Sequence, residues 1–184
     1  MRRVMIVGQP GSGKSTLARA IGQATGLPVV HIDKIHWQAG WIERSREEKS
    51  RLCREVEAGE RWIFEGGHSA TWDNRVARAD VLIWLDRPLA LRLARVLKRT
   101  LTGLGRTRAD LPEGCPERLS GLPEFIGFIW KTRHSARARM AELAAQAPAS
   151  CLVVRLTSDE EVASFLASLQ DAAAGPAEAV SCCG

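Results

Sequence analysis

Short runs of consecutive apolar residues alternate along this chain with longer stretches whose apolar positions recur every three or four residues. Five runs read as strands: Val4–Val7, Val29–Ile32, Trp62–Phe64, Val81–Leu85 and Leu152–Leu156. Several are apolar at nearly every position, as in strands buried on both faces. The longer period predicts helices over about 15–25, 46–58, 70–78, 88–101, 121–146 and 158–170. The last opens with Ser158 ahead of Asp159, Glu160 and Glu161, a capping hydroxyl followed by an acidic first turn. Strands that alternate with helices form a parallel sheet covered on both faces. The expected fold is therefore α/β and three-layered, with five parallel strands and ligands bound beyond their carboxyl ends.

The pattern breaks between 102 and 120, where Gly103, Gly105, Pro112, Gly114 and Pro116 interrupt Arg106, Arg108 and Arg118. A loop of this length inside one domain is usually functional. Its glycines predict flexible joints, and its arginines predict mutual repulsion that holds the loop open and protease-sensitive until an anion arrives. Residues 172–184, rich in Ala and Gly with no period, predict an unstructured tail.

The first strand run leads into Gly8-Gln9-Pro10-Gly11-Ser12-Gly13-Lys14-Ser15, which matches G-x-x-x-x-G-K-[ST] at every fixed position, and a helix pattern follows. Glycines let backbone N–H groups turn inward around an anion, and the helix N-terminus adds its positive end. In such a loop Gly8, Gly11, Ser12, Gly13, Lys14, Ser15 and Thr16 bind the nucleotide. The Lys14 ammonium reaches the β- and γ-phosphates, and the Ser15 hydroxyl ligates Mg²⁺. ATP and Mg²⁺ are the cofactors this pattern implies.

If catalysis follows, its other groups belong at the strand ends. Asp33 closes the second run, where a carboxylate orients a hydroxyl, acts as a base or holds metal-bound water. Strand alternation would turn His31 and Asp33 to one side. Glu65 closes the third run beside Gly66 and Gly67, which leave room for a ligand. Asp86 closes the fourth, followed by Arg87-Pro88 rather than a second acid, and reads more simply as a helix cap. Arg92, Arg95 and Arg99 share one helix face. Arg95 and Arg99, with Arg133 and Arg137 beyond the loop, are candidates to neutralise charge developing on a transferred phosphoryl group. Trp37 and Trp41 offer a wall for a substrate ring, whereas Trp62 and Trp84 read as core.

Composition narrows the class. The chain has 184 residues, enough for one domain with a sheet covered on both faces, and 45% are apolar. No apolar run approaches the roughly 20 residues of a membrane span. Five cysteines without a framework of spacings read as free thiols, and with no leader-like start the protein is expected in the cytoplasm. The net charge of +5 is concentrated: residues 87–139 hold ten Arg and two Lys against four acids. Such a segment either surrounds a polyphosphate or contacts nucleic acid.

The whole layout resembles the adenylate-kinase-like P-loop kinases, and within them the bacterial proteins described as DNA topology modulation proteins. The closer likeness lies in His31-Ile32-Asp33 with Trp37 and Gly40-Trp41, Trp62-Ile63 with Gly66, Arg75 with Ala79-Asp80, Arg95 to Arg99, Gly105 to Arg108, and Glu113-Gly114-Cys115-Pro116-Glu117. The resemblance implies one nucleotide-kinase-like domain over residues 1–171, with a substrate-binding insertion at 34–60 and a mobile lid at 102–120. It makes Glu65 the acid near Mg²⁺, and Arg95 and Arg99 the arginines flanking ATP. Gly67-His68 stand where adenylate kinases carry Phe-Pro-Arg, so the arginine that holds their monophosphate substrate is missing at that place. The function expected is transfer of the γ-phosphoryl group of ATP to a small hydroxyl or phosphate acceptor, by a monomer or weak dimer. An ATP-binding regulator that contacts nucleic acid is the alternative.

Overall fold

The computed structural model describes residues 1–174. Strand β1 (Arg3–Gly8) leads through the glycine-rich loop into helix α1 (Lys14–Thr25), followed by β2 (Val29–His31) and the short helix α2 (Ile32–His36). A small antiparallel hairpin, β3 (Trp37–Gln38) and β4 (Ile42–Glu43), precedes α3 (Arg46–Ala58), β5 (Trp62–Glu65), α4 (Trp72–Arg78) and β6 (Val81–Leu85). Then come α5 (Leu89–Thr102), the loop, α6 (Leu122–Ala145), β7 (Leu152–Leu156) and α7 (Asp159–Ala174).

The main sheet runs β2-β5-β1-β6-β7 and every pairing is parallel. The strand order reverses at the central β1, so a crevice opens beyond its carboxyl end, where the glycine-rich loop begins. Side-chain alternation divides each apolar run between two cores. Val4 and Ile6 pack with Ile63, Ile83, Leu17 and Ile21, while Met5 and Val7 pack with Phe64, Leu82, Trp84 and Met140. Trp62 and Trp84 lie in the second of these cores, as expected.

Three readings of the sequence change. The second run ends at His31, and Asp33 stands in α2, because Ile32 and Ile35 turn together into the core at helical rather than strand spacing. Strand β7 is an edge strand with Leu152 exposed, not one buried on both faces. Helix α7 continues to Ala174, into the segment expected to be unstructured; residues 175–184, including Cys182 and Cys183, lie outside the described ones. Its Ser158 hydroxyl accepts from the Glu161 N–H at 3.2 Å, the expected cap. Cys53, Cys115 and Cys151 are buried free thiols.

Candidate functional site

A cavity of about 1750 Å³ opens at the carboxyl end of the sheet, lined by residues 8–16 together with Asp33, Glu65, Gly66 and Gly67. Its floor is the loop between β1 and α1. Gly11 and Gly13 take left-handed backbone conformations (φ 78° and 99°), open to glycine at little cost. A methyl group on Gly11 would also overlap the Arg92 carbonyl of α5, so this glycine fixes both the turn and the packing of α5 against it. Lys14 Nζ donates to the Gln9 carbonyl at 3.4 Å, folding its ammonium over the loop.

Ser15 is the meeting point of the polar groups. Its hydroxyl lies 3.0 Å from Glu65 Oε1 and 3.0 Å from Asp110 Oδ2. Glu65 Oε1 is also 2.7 Å from His31 Nδ1, and both side chains are buried. Gly66, which follows Glu65, has φ 113°, and a Cβ there would overlap Ile32, so the β5 turn and α2 are packed as one piece. Burial pushes the Asp33 carboxyl above its ordinary range, and the negative charge of Glu65 adds to the effect against the opposing pull of Lys14 and Arg108. For Asp110, burial acts upward, but Arg108, its own backbone N–H and the Ser15 hydroxyl outweigh it and hold the carboxyl low.

Asp110 was not among the candidates read from the sequence. It arrives on the loop between α5 and α6, which folds over the site. Leu111 and Cys115 are buried, and Arg108 pairs with Asp110 at 2.7 Å and with Glu117 at 2.8 Å. Glu117 also pairs with Arg99 at 3.4 Å. In this structure the loop is held against the site through Arg108 and Asp110. Arg108 is neutralised by carboxylates of its own segment, and Arg106 points to solvent.

The arginines sort by helix face. Arg95 donates to the Ser12 carbonyl at 3.3 Å and forms a two-oxygen pair with Asp159, and Arg99 also lines the cavity. Arg92 is buried and donates to the Arg87 carbonyl, so its role is packing. Arg133 and Arg137, expected in the site, lie outside the cavity lining. Arg133 stacks its guanidinium 4.1 Å above Trp130, and only its backbone carbonyl reaches the loop, accepting from Gln9 Nε2. Arg137 pairs with Asp86, which it shares with Arg155. Asp86 accordingly caps no helix. The face of α6 turned to the cavity carries Phe125, Phe128, Thr132, Ser135, Ala136 and Arg139, so Arg139 stands where Arg133 and Arg137 were expected.

The cavity lining also includes His36, Trp37, Trp41, His68 and Trp72. Trp37 and Trp41 meet edge to face at 5.4 Å. His68 (φ 76°) and Trp41 (φ 65°) hold left-handed conformations rare for such residues, and both are at this wall. No helix among the described residues is long and apolar enough to cross a membrane.

The profile of the ATPase family associated with various cellular activities (AAA) matches residues 4–64. Shikimate kinase from Acinetobacter baumannii, solved with shikimate, superposes with a TM-score of 0.55 at 14% identity, covering 92% of this chain and 90% of that one. Shikimate kinase from Bacteroides thetaiotaomicron gives 0.53 at 20% identity over 92% and 96%. A sugar kinase from Janibacter sp. gives 0.53 at 18% identity over 95% and 97%. No curated protein matches the chain. The fold is the α/β P-loop kinase fold with a five-stranded parallel sheet, as the sequence predicts.

Proposed function

We propose that this protein is an ATP- and Mg²⁺-dependent small-molecule kinase, with residues 34–60 forming the acceptor side and 102–120 the lid. The observation that carries this reading is one cavity lined both by the phosphate loop and by Asp33, Trp37, Trp41 and Trp72.

The donor set suits the cofactors. Ser15, Glu65 and Asp110 converge as oxygen donors only, the ligand type that Mg²⁺ takes directly or through water. Mg²⁺, when bound with ATP, supplies charge neutralisation on the phosphates. The loop N–H groups and Lys14 hold the β- and γ-phosphates. Arg95 and Arg99 offer positive charge along the same wall. Asp33, with its raised proton affinity, accepts the proton of an acceptor hydroxyl, and the lid excludes water from the transfer. The acceptor is a hydroxyl compound with a ring for Trp37 and Trp41.

The shikimate and sugar kinases named above act on hydroxyl-bearing small molecules, which agrees with this reading; their low identity leaves the acceptor open. The AAA match covers residues 4–64, about a third of the chain around the phosphate loop, and no second acid follows Asp86 to activate a hydrolytic water. The likeness to DNA topology modulation proteins keeps a nucleic-acid role as the competing reading. Against it, the basic segment spends much of its charge internally: Arg87 and Arg95 on Asp159, Arg99 and Arg108 on Glu117, Arg137 on Asp86. What remains is a cavity lining more than a continuous basic stripe. A screen of sugars, nucleosides and other alcohols for acceptor-dependent ADP release tests the proposal. Release that no acceptor stimulates, together with tight, steeply salt-dependent binding to duplex DNA, would replace it with the regulator.

A further inference from the structure

The lid and the β3–β4 hairpin are joined directly. Gly40 N–H donates to the Gly114 carbonyl at 2.9 Å, the Trp41 indole N–H to the Pro116 carbonyl at 3.0 Å, and the Cys115 thiol to the Gln38 carbonyl at 3.1 Å. The lid side is three consecutive residues and the hairpin side falls within four, so the contact is a register and not a chance touch. Cys115 is fully buried, which keeps water out of it. A Cβ on Gly114, already at φ 79°, would press to 3.2 Å from the Ala39 methyl, so the two segments are in close approach.

Each partner is also fastened to residues that line the cavity or flank its lining. The lid reaches the phosphate loop through Asp110 at Ser15, and Arg108 ties Asp110 to Glu117, the residue after Pro116. The hairpin reaches α2 through Arg44, whose Nη1 donates to the carbonyls of Lys34, Ile35 and Trp37 at 3.0, 2.9 and 2.8 Å. Helix α2 carries Asp33. Trp41 holds a left-handed backbone, a conformation a bulky residue keeps only where its surroundings impose it; here the Pro116 bond and the Trp37 ring do so.

We propose that lid and hairpin form one clasped unit, through which nucleotide at the phosphate loop sets the wall that receives the acceptor. Trp41 and Cys115 are its positioning residues. In a protein whose lid and acceptor wall moved separately, the two ligands would bind independently. Here, seating the lid on the nucleotide carries Trp37 and Trp41 with it, so nucleotide and acceptor raise each other's affinity by the same factor. The inference rests on the nucleotide-binding reading above and concerns its regulation.

Hydrogen exchange on the full chain tests it without knowledge of the acceptor. The probe is Mg²⁺ with the non-hydrolysable β,γ-imido analogue of ATP, and calorimetry on the same sample measures its binding. In the wild type, amides of residues 38–43 should slow by about tenfold together with those of 104–117, the effect of fastening roughly one hydrogen bond's worth of structure. Trp41→Phe and Cys115→Ala each remove one clasp donor. Both should retain slowing in the lid while the hairpin returns toward its nucleotide-free rate. Binding with slowing confined to the lid in the wild type would overturn the clasp and leave the kinase reading standing. Hairpin slowing undiminished in both variants would overturn it as well. Absence of any binding heat would overturn the nucleotide reading itself, and the inference with it.

Discussion

The carboxylate of Asp110, on the loop between α5 and α6, lies 3.0 Å from the hydroxyl of Ser15, a residue 95 positions earlier in the chain, and shares that hydroxyl with Glu65. A serine hydroxyl has one proton, so it satisfies only one of the two carboxylates at a time. The other faces an oxygen lone pair; Arg108 at Asp110 and His31 at Glu65 offset this in part, and a bound cation would offset the rest. Asp110→Asn should therefore raise the Mg²⁺ concentration needed for half-maximal transfer by about tenfold, the usual scale for a group that orients metal ligands. Titration of the rate with Mg²⁺ at fixed ATP checks this. An unchanged Mg²⁺ requirement would separate Asp110 from the metal and leave it a lid-packing residue.

Two arginines with equal standing in the sequence should behave differently. Arg95 reaches the phosphate-loop backbone, whereas Arg137 is spent on Asp86 outside the cavity lining. Arg95→Ala should lower kcat/KM for ATP by roughly 10²-fold, the cost of losing one charged donor to a developing anion. Arg137→Ala should leave the rate near the wild type, since Arg155 still pairs with Asp86. Steady-state kinetics on both variants decides the matter; comparable losses would return Arg137 to the site.

The contrast between these arginines also marks how far the sequence reads. All five strands of the main sheet and six helices are legible, because apolar periodicity over several residues carries them and burial rewards it. The phosphate loop is legible because its chemistry requires fixed spacing. Helix α2 is not: Ile32 to His36 is little more than one turn, too short for a period to declare itself. Asp110 sits in a loop without periodicity, and its partner is distant in sequence. Choosing among Arg133, Arg137 and Arg139 needs the rotation of α6 about its axis. Its apolar residues spread over more than one face, so the pattern does not fix that rotation.

Beneath the site, Glu57 and Arg75 form an ion pair at 3.0 Å with both side chains fully buried. Asn74 donates to the second Glu57 oxygen at 2.6 Å, the Arg75 guanidinium lies 3.8 Å above the Phe64 ring, and its Nη1 donates to the Gly66 carbonyl at 3.4 Å. Removing one member leaves the other charge buried, at a cost of about 3–5 kcal/mol. Glu57→Ala should thus lower Tm by roughly 10 °C in a protein of this size. The double substitution Glu57→Leu with Arg75→Met should recover much of that loss. A single variant that melts within two or three degrees of the wild type, on the scale of about one kcal/mol, would mean the pair is solvated.

Asp33 links the rate and the stability to pH with opposite signs. Burial first, and then Glu65, raise its folded pKa above the ordinary 3.8. As the acceptor's base it works ionised, so the transfer rate should fall on the acid side at a pH above the normal aspartate range. Asp33→Asn should remove that limb and most of the activity. Stability runs the other way. Between the unfolded and the raised folded pKa the native state holds the extra proton, so stability declines as pH rises through that window and stays lower beyond it. Asp33→Asn should consequently raise Tm at neutral pH, and the gain should vanish below the unfolded pKa, where both side chains are uncharged. Thermal melts of wild type and variant across this range measure the difference directly. A variant less stable than the wild type at neutral pH would show that the ionised carboxylate is held by favourable contacts, and would remove the case for Asp33 as a destabilised base.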